Sequence, residues 1–475
     1  MEALGDPVVL SRLQFAVTTL FHMLWPLLTI GISLFLVLME ALWLLTGQED
    51  YFRHVRFWAG LLLLSFGIGV ASGLPLEFEF GTNWAKFSRT SGGFFGNILG
   101  FEGAMAFMLE AVFLGIMMFG WKRVSRGTHL FSTVMVALGA SLSAFWIMDA
   151  SSWMQTPAGV SIEDGQTTIT NYAAAVFNPS MGYSLAHKLA ACLETSLFFV
   201  GGISAWYLLE GLHTEFFLKS FKASLALAIA VAPLQIWLGD LSGRGVARYQ
   251  PAKAAAMESH WQTNPPGQGA PLALLAWPDE AAERNAWAVE VPGMLSLLAT
   301  RTADGQVVGL KDFQPQDRPP IVLPFYALRI MVAIGVLMFL LMLWTLWRWA
   351  RGRLTPRDAG GQRWLMRSWI AFVPMGFVAT DLGWVLREVG RQPWVIYNVM
   401  RTSDGASNLH WLPPAVTLAL YTLIYALLLA AFFVYAGRII RKGPDLSSGV
   451  PKRGIPRLGS PPVPGGPPRA AEGGP

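Results

Sequence analysis

The sequence predicts an all-α integral membrane protein, a bundle of about nine transmembrane helices. Hydrophobic residues occupy 53% of the 475 positions, charged residues occupy only 14%, and the mean hydropathy is +0.44. A soluble domain usually carries about 25% charged residues, so lipid is the expected solvent for most of this chain. The composition excludes an ordinary cytosolic enzyme, a disordered chain and a nucleic-acid-coating protein.

Nine stretches are long and apolar enough to cross a bilayer, which takes about 20 mostly apolar residues. The predicted spans are 15–45, 56–79, 98–120, 128–152, 184–211, 220–239, 322–347, 367–388 and 412–437. The first is too long for a cleavable signal peptide, and only Arg12 supplies positive charge before it. We therefore expect it to be a retained helix.

Four parts are predicted along the chain. Helices 1–6 occupy 1–241, an outer loop rich in charges, Pro and Gly occupies 242–319, helices 7–9 occupy 320–440, and a disordered cytoplasmic tail occupies 441–475. Clusters of Lys and Arg in alternate connections predict that the N-terminus lies outside and the C-terminus inside. A connection as long as the outer loop is uncommon unless it is functional, so it is the predicted place for a substrate.

Two histidines are candidate ligands inside the predicted bundle. The single cysteine, Cys192, excludes a Cys-ligated cluster, so a metal must be held chiefly by His, Met or carboxylate. His22 lies about 10 Å from the outer end of the first span, and His187 lies within about a turn of the outer end of the fifth. Each imidazole either binds a metal or hydrogen-bonds a neighbouring carbonyl. The other five histidines fall at helix ends or in the outer loop.

A methionine and an arginine in the seventh span point to haem. Met331 lies in the outer half of that span, two residues from the buried Arg329, and it could meet His187. A His/Met pair on haem iron gives a low-spin electron-transfer centre. Arg329 would then have propionate carboxylates to bind. Most methionines in an apolar bundle only fill gaps.

Carboxylates inside the bilayer are a further class of candidate, because each is costly to insert. Glu102 and Glu110 are eight residues apart in the third span and project from one broad side, about 12 Å apart along the axis. They are interpreted as steps of a proton relay, or else as interhelical hydrogen-bonding groups. Glu388, one turn after Trp384, ends the eighth span, a position where a glutamate among arginines is usually only a solvated or headgroup-facing cap.

Several motifs occur together and in order. They are "EFGTNWAKFS" from Glu79, "FEGAMAFMLE" from Phe101, "GISAWYLL" from Gly202, "FYALRIM" from Phe325 and "GRQPW" from Gly390. With these motifs the chain resembles subunit I of the cytochrome bd quinol oxidases over nearly its whole length.

The resemblance implies a terminal respiratory oxidase of the bacterial cytoplasmic (inner) membrane. Quinol would be oxidised at the outer face, and dioxygen would be reduced to water with protons from the cytoplasm, so that proton motive force arises without pumping. It also implies a partner, the oxidase subunit II. A small single-helix accessory subunit is a further candidate partner.

The resemblance also implies roles for individual residues. His187 and Met331 look like the axial ligands of a low-spin haem b, with Arg329 beside it. His22 looks like an axial ligand in a paired site that holds a high-spin haem b and a haem d. Glu388 looks like the carboxylate ligand there.

Further residues complete this assignment. Trp384 looks like an aromatic bridge between the haems, and Glu102 and Glu110 look like carboxylates on the proton route. Lys253 and Glu258 in "QPAKAAAME" look like the quinol-binding residues of a short-type outer loop; without the family they read as solvated charges. The loop is similar to that of the cyanide-insensitive branch, in which a b-type haem stands in place of haem d, so the third haem stays open.

Two other classes of protein remain open at this point. One is a membrane transporter whose buried carboxylates bind a cation without any haem. The other is a non-oxidase b-type cytochrome, which would bind haem but consume no oxygen. A reduced-minus-oxidised spectrum separates the first from an oxidase.

Overall fold

The computed structural model describes residues 5–163 and 166–447. In these residues nine helices are long and apolar enough to cross a membrane, which confirms the predicted all-α bundle. They are α1 Pro7–Thr46, α2 Glu49–Thr82, α3 Ala85–Phe119, α4 Arg126–Gln155, α5 Met181–Glu210, α6 Thr214–Tyr249, α7 Val322–Ala350, α8 Arg363–Val389 and α9 Leu412–Lys442.

Each helix is longer than the apolar stretch that predicts it. With a rise of about 1.5 Å per residue, a helix of 40 residues such as α1 is about 60 Å long, roughly twice the hydrocarbon thickness. The sixth helix continues to Tyr249, so positions 242–249 of the predicted outer loop are helical. The last helix ends at Lys442, and the predicted tail from 448 onward lies outside the described residues.

The regular α-helical geometry is interrupted in two of the spanning helices. In α3 the segment Glu102–Phe107 is a π-helix, a form that often marks functional positions. The eighth spanning helix consists of Arg363–Ala371 and Met375–Val389, and Pro374 lies in the break between them. The π segment has i→i+5 hydrogen bonds in place of the i→i+4 bonds of an α-helix, and it therefore changes the direction of Glu102 relative to the rest of α3.

The helices α1 and α5 form the centre of the bundle. The most apolar part of α1 is 67% buried within the protein and that of α5 is 78% buried, against 11% for α9. The helix α1 contacts α2, α4, α5, α8 and α9, while α5, α6, α7 and α8 contact one another in sequence as a four-helix ring. The two histidines that the sequence singles out therefore lie on the most enclosed helices.

The long connection between α6 and α7 covers one end of the bundle, which we call the loop end. It contains the short helix Pro251–Glu258, a hairpin of two strands and the helix Met294–Thr300. Each of the three sheets in the described residues is an antiparallel pair. The strands are β1 Val160–Glu163, β2 Gln166–Ile169, β3 Leu272–Asp279, β4 Arg284–Val291, β5 Trp394–Ile396 and β6 Met400–Arg401.

Candidate functional site

His187 and Met331 border the four-helix ring near the loop end. His187 on α5 lies against α6, where a Cβ on Gly239 would be 3.5 Å from its Cε1 atom. Met331 on α7 lies against α8, where a Cβ on Gly383 would be 3.2 Å from the sulfur. In the described part of the chain, the buried Nδ1 of His187 has no hydrogen-bond partner. A nitrogen and a sulfur donor thus lie on two different helices of the ring, and the Nδ1 atom of the imidazole is not engaged in a hydrogen bond among the described residues.

The local contacts of His22 fix its tautomer. Its Nδ1 lies 3.0 Å from the Ser72 hydroxyl, and that hydroxyl donates its proton to the carbonyl of Gly69 at 3.0 Å. The Ser72 oxygen is therefore the acceptor, so the proton of His22 lies on Nδ1 and the Nε2 lone pair is free. A Cβ on Gly73 would lie 3.1 Å from His22 Cε1, so a glycine lets the ring lie against α2. A neutral imidazole with a free Nε2 is the form that binds iron.

Glu102 and Glu110 both meet the same neighbouring helix, as the predicted common side requires. Ser143 of α4 donates to Glu102 Oε1 at 2.6 Å, and a Cβ on Gly139, one turn away on α4, would lie 2.9 Å from Glu110 Cβ. Among the described residues, Glu102 Oε2 and Glu110 Oε1 have no hydrogen-bond partner. Each carboxyl group is thus left with an oxygen that can exchange a proton.

Glu388 is held by cations at the loop end of α8. Arg391 donates to its Oε2, and the Arg387 Nε lies 3.7 Å from its Oε1. Its side chain is 27% exposed, whereas the indole of Trp384 is buried one turn earlier in α8. The carboxyl group is therefore oriented by Arg391 and is not directed alone into the bundle.

An ion pair joins two residues that the sequence assigned to different functions. Arg329 donates to Glu258 Oε2 at 2.6 Å and to the carbonyl of Ala273 at 2.6 and 2.9 Å. Burial raises the pKa of Glu258, and the guanidinium of Arg329 partly offsets this. The predicted quinol-side carboxylate therefore contacts the predicted haem-side cation.

Lys253 is buried, so its reading as a solvated charge is wrong. The residue is 4% exposed, and its terminal nitrogen donates to Gln155 Oε1 at 3.0 Å and to the Arg387 carbonyl at 2.8 Å. Desolvation, reinforced by the cation of Arg387, holds the pKa of Lys253 well below its usual range. Gln155 also donates to Glu388 Oε1 at 3.4 Å. A single amide thus connects the loop lysine to the carboxylate of α8.

Sequence reasoning missed Gln155, and it also missed a buried pair toward the other end of the bundle. Glu40 of α1 accepts hydrogen bonds from His129 at 2.5 Å and from Thr133 at 2.6 Å, and His129 Nε2 lies 2.9 Å from the Met117 carbonyl. The sequence places His129 only at a helix end. The contact between α1 and α4 that buries it is not visible in either segment alone.

These features define a polytopic membrane protein with imidazole and thioether donors between its helices. The family model of cytochrome bd terminal oxidase subunit I matches residues 10–444. The chain belongs to this family.

Relatives agree with this assignment over nearly the full chain. The chain is 34% identical to cytochrome bd-II ubiquinol oxidase subunit 1 of Escherichia coli (strain K12), over 93% of this chain and 97% of that protein. It is 35% identical to cytochrome bd ubiquinol oxidase subunit 1 of Bacillus subtilis (strain 168), over 84% and 86%. The bd oxidase structure from Geobacillus thermodenitrificans has a TM-score of 0.84 at 30% identity, covering 93% of this chain and 99% of that one.

The family assignment confirms the main functional predictions. The chain is a subunit of a quinol:oxygen oxidoreductase, a terminal quinol oxidase of the haem-dependent cytochrome bd type. Membership as subunit I implies a subunit II partner, and the nine apolar helices fit a multi-pass membrane protein.

Proposed function

We propose that this chain is the haem-carrying subunit of an electrogenic quinol oxidase in the bacterial cytoplasmic membrane. The loop end faces outward and receives quinol, while the protons that form water come from the cytoplasm. The observation that carries the proposal is the placement of His187 and Met331 on two different helices of the ring, with the imidazole nitrogen unpaired.

Two groups of residues would hold the haems. His187 and Met331 would hold a low-spin haem b, with Arg329 as the cation nearby. His22 would hold, through its free Nε2, a high-spin haem b paired with haem d or a b-type haem in its place, with Trp384 and Glu388 on α8. When bound, haem supplies one-electron transfer and the site at which dioxygen is reduced.

Lys253 and Glu258 would accept the protons of quinol as it is oxidised. Burial moves the pKa of the lysine down and that of the carboxyl group up, and both shifts favour groups that exchange protons closer to neutral pH. The ion pair between Glu258 and Arg329 supports this proposal, because the proton acceptor would then lie beside the cation of the low-spin site. Quinol oxidation and electron entry would therefore occur at the same corner of the bundle.

Glu110 and Glu102 would carry protons in the opposite direction, toward the oxygen site. Glu110 lies further from the loop end along α3, so we propose the order Glu110 and then Glu102. Ser143 holds one oxygen of Glu102 and leaves the other free to pass a proton onward. Since electrons enter from outside and protons from inside, charge separation follows without a pump.

The experiment that tests the proposal is a spectrum together with an oxygen-uptake measurement. The chain is expressed with its subunit II in the presence of a haem precursor, and haem is extracted for identification. We expect absorption changes on reduction and quinol-dependent oxygen uptake. A colourless complex would favour the haem-free transporter, and a haem complex without oxygen uptake would favour a non-oxidase b-type cytochrome.

The hydrogen bond from His22 to Ser72 gives a prediction about haem retention. In Ser72→Ala the imidazole loses the acceptor that fixes its tautomer, and such outer partners are typically worth 10 to 100-fold in metal affinity. We expect roughly that loss in retention of the haem at His22, with the low-spin spectrum unchanged. The measurement is the haem-to-protein ratio during detergent dilution, with Ser65→Ala in the same helix as the matched control. Equal retention in both variants would contradict the tautomer assignment.

A further inference from the structure

A buried lysine ammonium has no role in the assignments above. Lys188 of α5 is 8% exposed, and in the described part of the chain its Nζ atom has no hydrogen-bond partner. The Nζ lies 5.6 Å from the ring centroid of Trp384 on α8. An ammonium enclosed in this way is strongly destabilising unless an anion accompanies it, and one aromatic face does not replace that anion.

Lys188 faces a different neighbour from the adjacent His187. Successive residues of an α-helix point about 100° apart, since a turn takes about 3.6 residues. His187 lies against Gly239 of α6, whereas Lys188 points toward Trp384 of α8. The ammonium also interacts electrostatically with His22 of α1. It therefore belongs to the junction of α1, α5 and α8, on the side of the proposed oxygen site.

A carboxylate lies opposite this ammonium without touching it. Asp381, three residues before Trp384 on α8, interacts electrostatically with Lys188, yet no direct ion pair joins them among the described residues. One oxygen of Asp381, like the ammonium, has no hydrogen-bond partner there. The thiol of Cys192, one turn along α5, and the imidazole of the adjacent His187 also interact electrostatically with Lys188. The ammonium and the carboxylate thus interact at a distance, and neither forms an ion pair among the described residues.

We propose that Lys188 is a positioning residue of the oxygen-reducing site, whose ammonium binds a propionate carboxylate of the haem held by His22. Asp381 is the counter-charge on the other side. This inference rests on the proposed function, and it adds a cation and an anion with opposite effects on the same haem. A positive charge near haem favours the reduced state, and a negative charge favours the oxidised state.

The test is a spectroelectrochemical titration of the complex with subunit II. Lys188→Met keeps an unbranched side chain, one atom shorter, and removes the charge. We expect at least a tenfold fall in the reduced-to-oxidised ratio of the high-spin haem at a fixed potential. For a one-electron couple this corresponds to about 59 mV. Asp381→Asn should shift the ratio in the opposite direction, and Lys188→Arg should retain the wild-type value.

The opposite signs separate electrostatics from packing. A purely structural role would move both variants in the same direction or would loosen both haems alike, and either result would overturn the inference. Unchanged potentials in both variants would also overturn it. The low-spin haem serves as an internal reference, and an equal shift there would count against placement at the His22 site.

Two further outcomes locate the carboxylate and separate this inference from the proposed function. If added formate changes the potential of the wild-type haem and this change is lost in Lys188→Met, a free anion binds the ammonium and the propionate assignment is wrong. If the wild type and Lys188→Met respond alike to formate, the propionate assignment is supported. A wild-type complex without haem absorption would overturn the proposed function itself, whereas unshifted potentials in a coloured complex overturn only the role of Lys188.

Discussion

Alanine in place of His187 is expected to abolish the low-spin haem signal and to reduce quinol oxidation by at least about a hundredfold. The sequences of α5 to α8 contain no other histidine, so no second imidazole can take its place in the ring. Loss of one axial donor of this kind removes the electron-entry centre, although the helices still pack. The measurement is the haem stoichiometry of the purified complex with its reduced-minus-oxidised spectrum.

His260→Ala is the matched control for that experiment. This imidazole also lies at the loop end, but it hydrogen-bonds the Val307 carbonyl within the connection between α6 and α7. We expect full haem content in this variant. Retention of the complete low-spin spectrum in His187→Ala would show that the ligand assignment is wrong.

Glu110→Gln is expected to slow oxygen consumption by about a hundredfold while leaving the low-spin haem intact. The amide preserves shape and polarity but carries no transferable proton, and loss of a positioned proton-transfer group typically costs 10² to 10⁴ in rate. Because Glu110 is buried against Gly139 of α4, water does not readily replace it. Oxygen uptake with excess quinol and the reduced spectrum are recorded on the same preparation.

Glu210→Gln provides the comparison for this variant. Glu210 is an exposed carboxylate at the end of α5, away from the two unpaired carboxyl groups of α3. Its substitution should leave the rate of oxygen uptake unchanged. If Glu110→Gln loses the low-spin haem, or if it consumes oxygen at the rate of the control, the proton-relay assignment fails.

The sequence predicts the number and approximate positions of the spanning helices because an apolar run of this length in a bilayer must satisfy its backbone hydrogen bonds internally, as an α-helix does. It does not predict their ends. An apolar stretch reports only the part of a helix that lies in lipid, and α6 continues through polar residues to Tyr249 with side-chain ion pairs such as Asp240–Arg244. The π-helical turn at Glu102–Phe107 is also invisible to a pattern based on 3.6 residues.

Whether a site residue can be predicted depends on whether its neighbours in the sequence, or only its partners in the folded protein, mark it as important. His22 and His187 can be found in the sequence because an ionisable ring among apolar residues is costly to insert into a bilayer and is therefore a candidate functional group. Ser72 and Gln155 cannot, since their importance comes from partners on other helices or in the loop. Lys188 is a special case, because the charge is visible in the sequence but its direction toward Trp384 depends on the packing of α5 against α8.

The amide of Gln155 has a consequence for inhibitor studies. It accepts from the amine of Lys253 and donates to Glu388, so one side chain spans the distance between the substrate loop and the candidate iron-binding carboxylate. A compound that lodges in the loop and draws the amine away would release that amide and alter the environment of the remote carboxylate. Changes in the absorption of the haem at the oxygen site would then report that the compound occupies the loop, even without turnover and without direct contact between the compound and the haem.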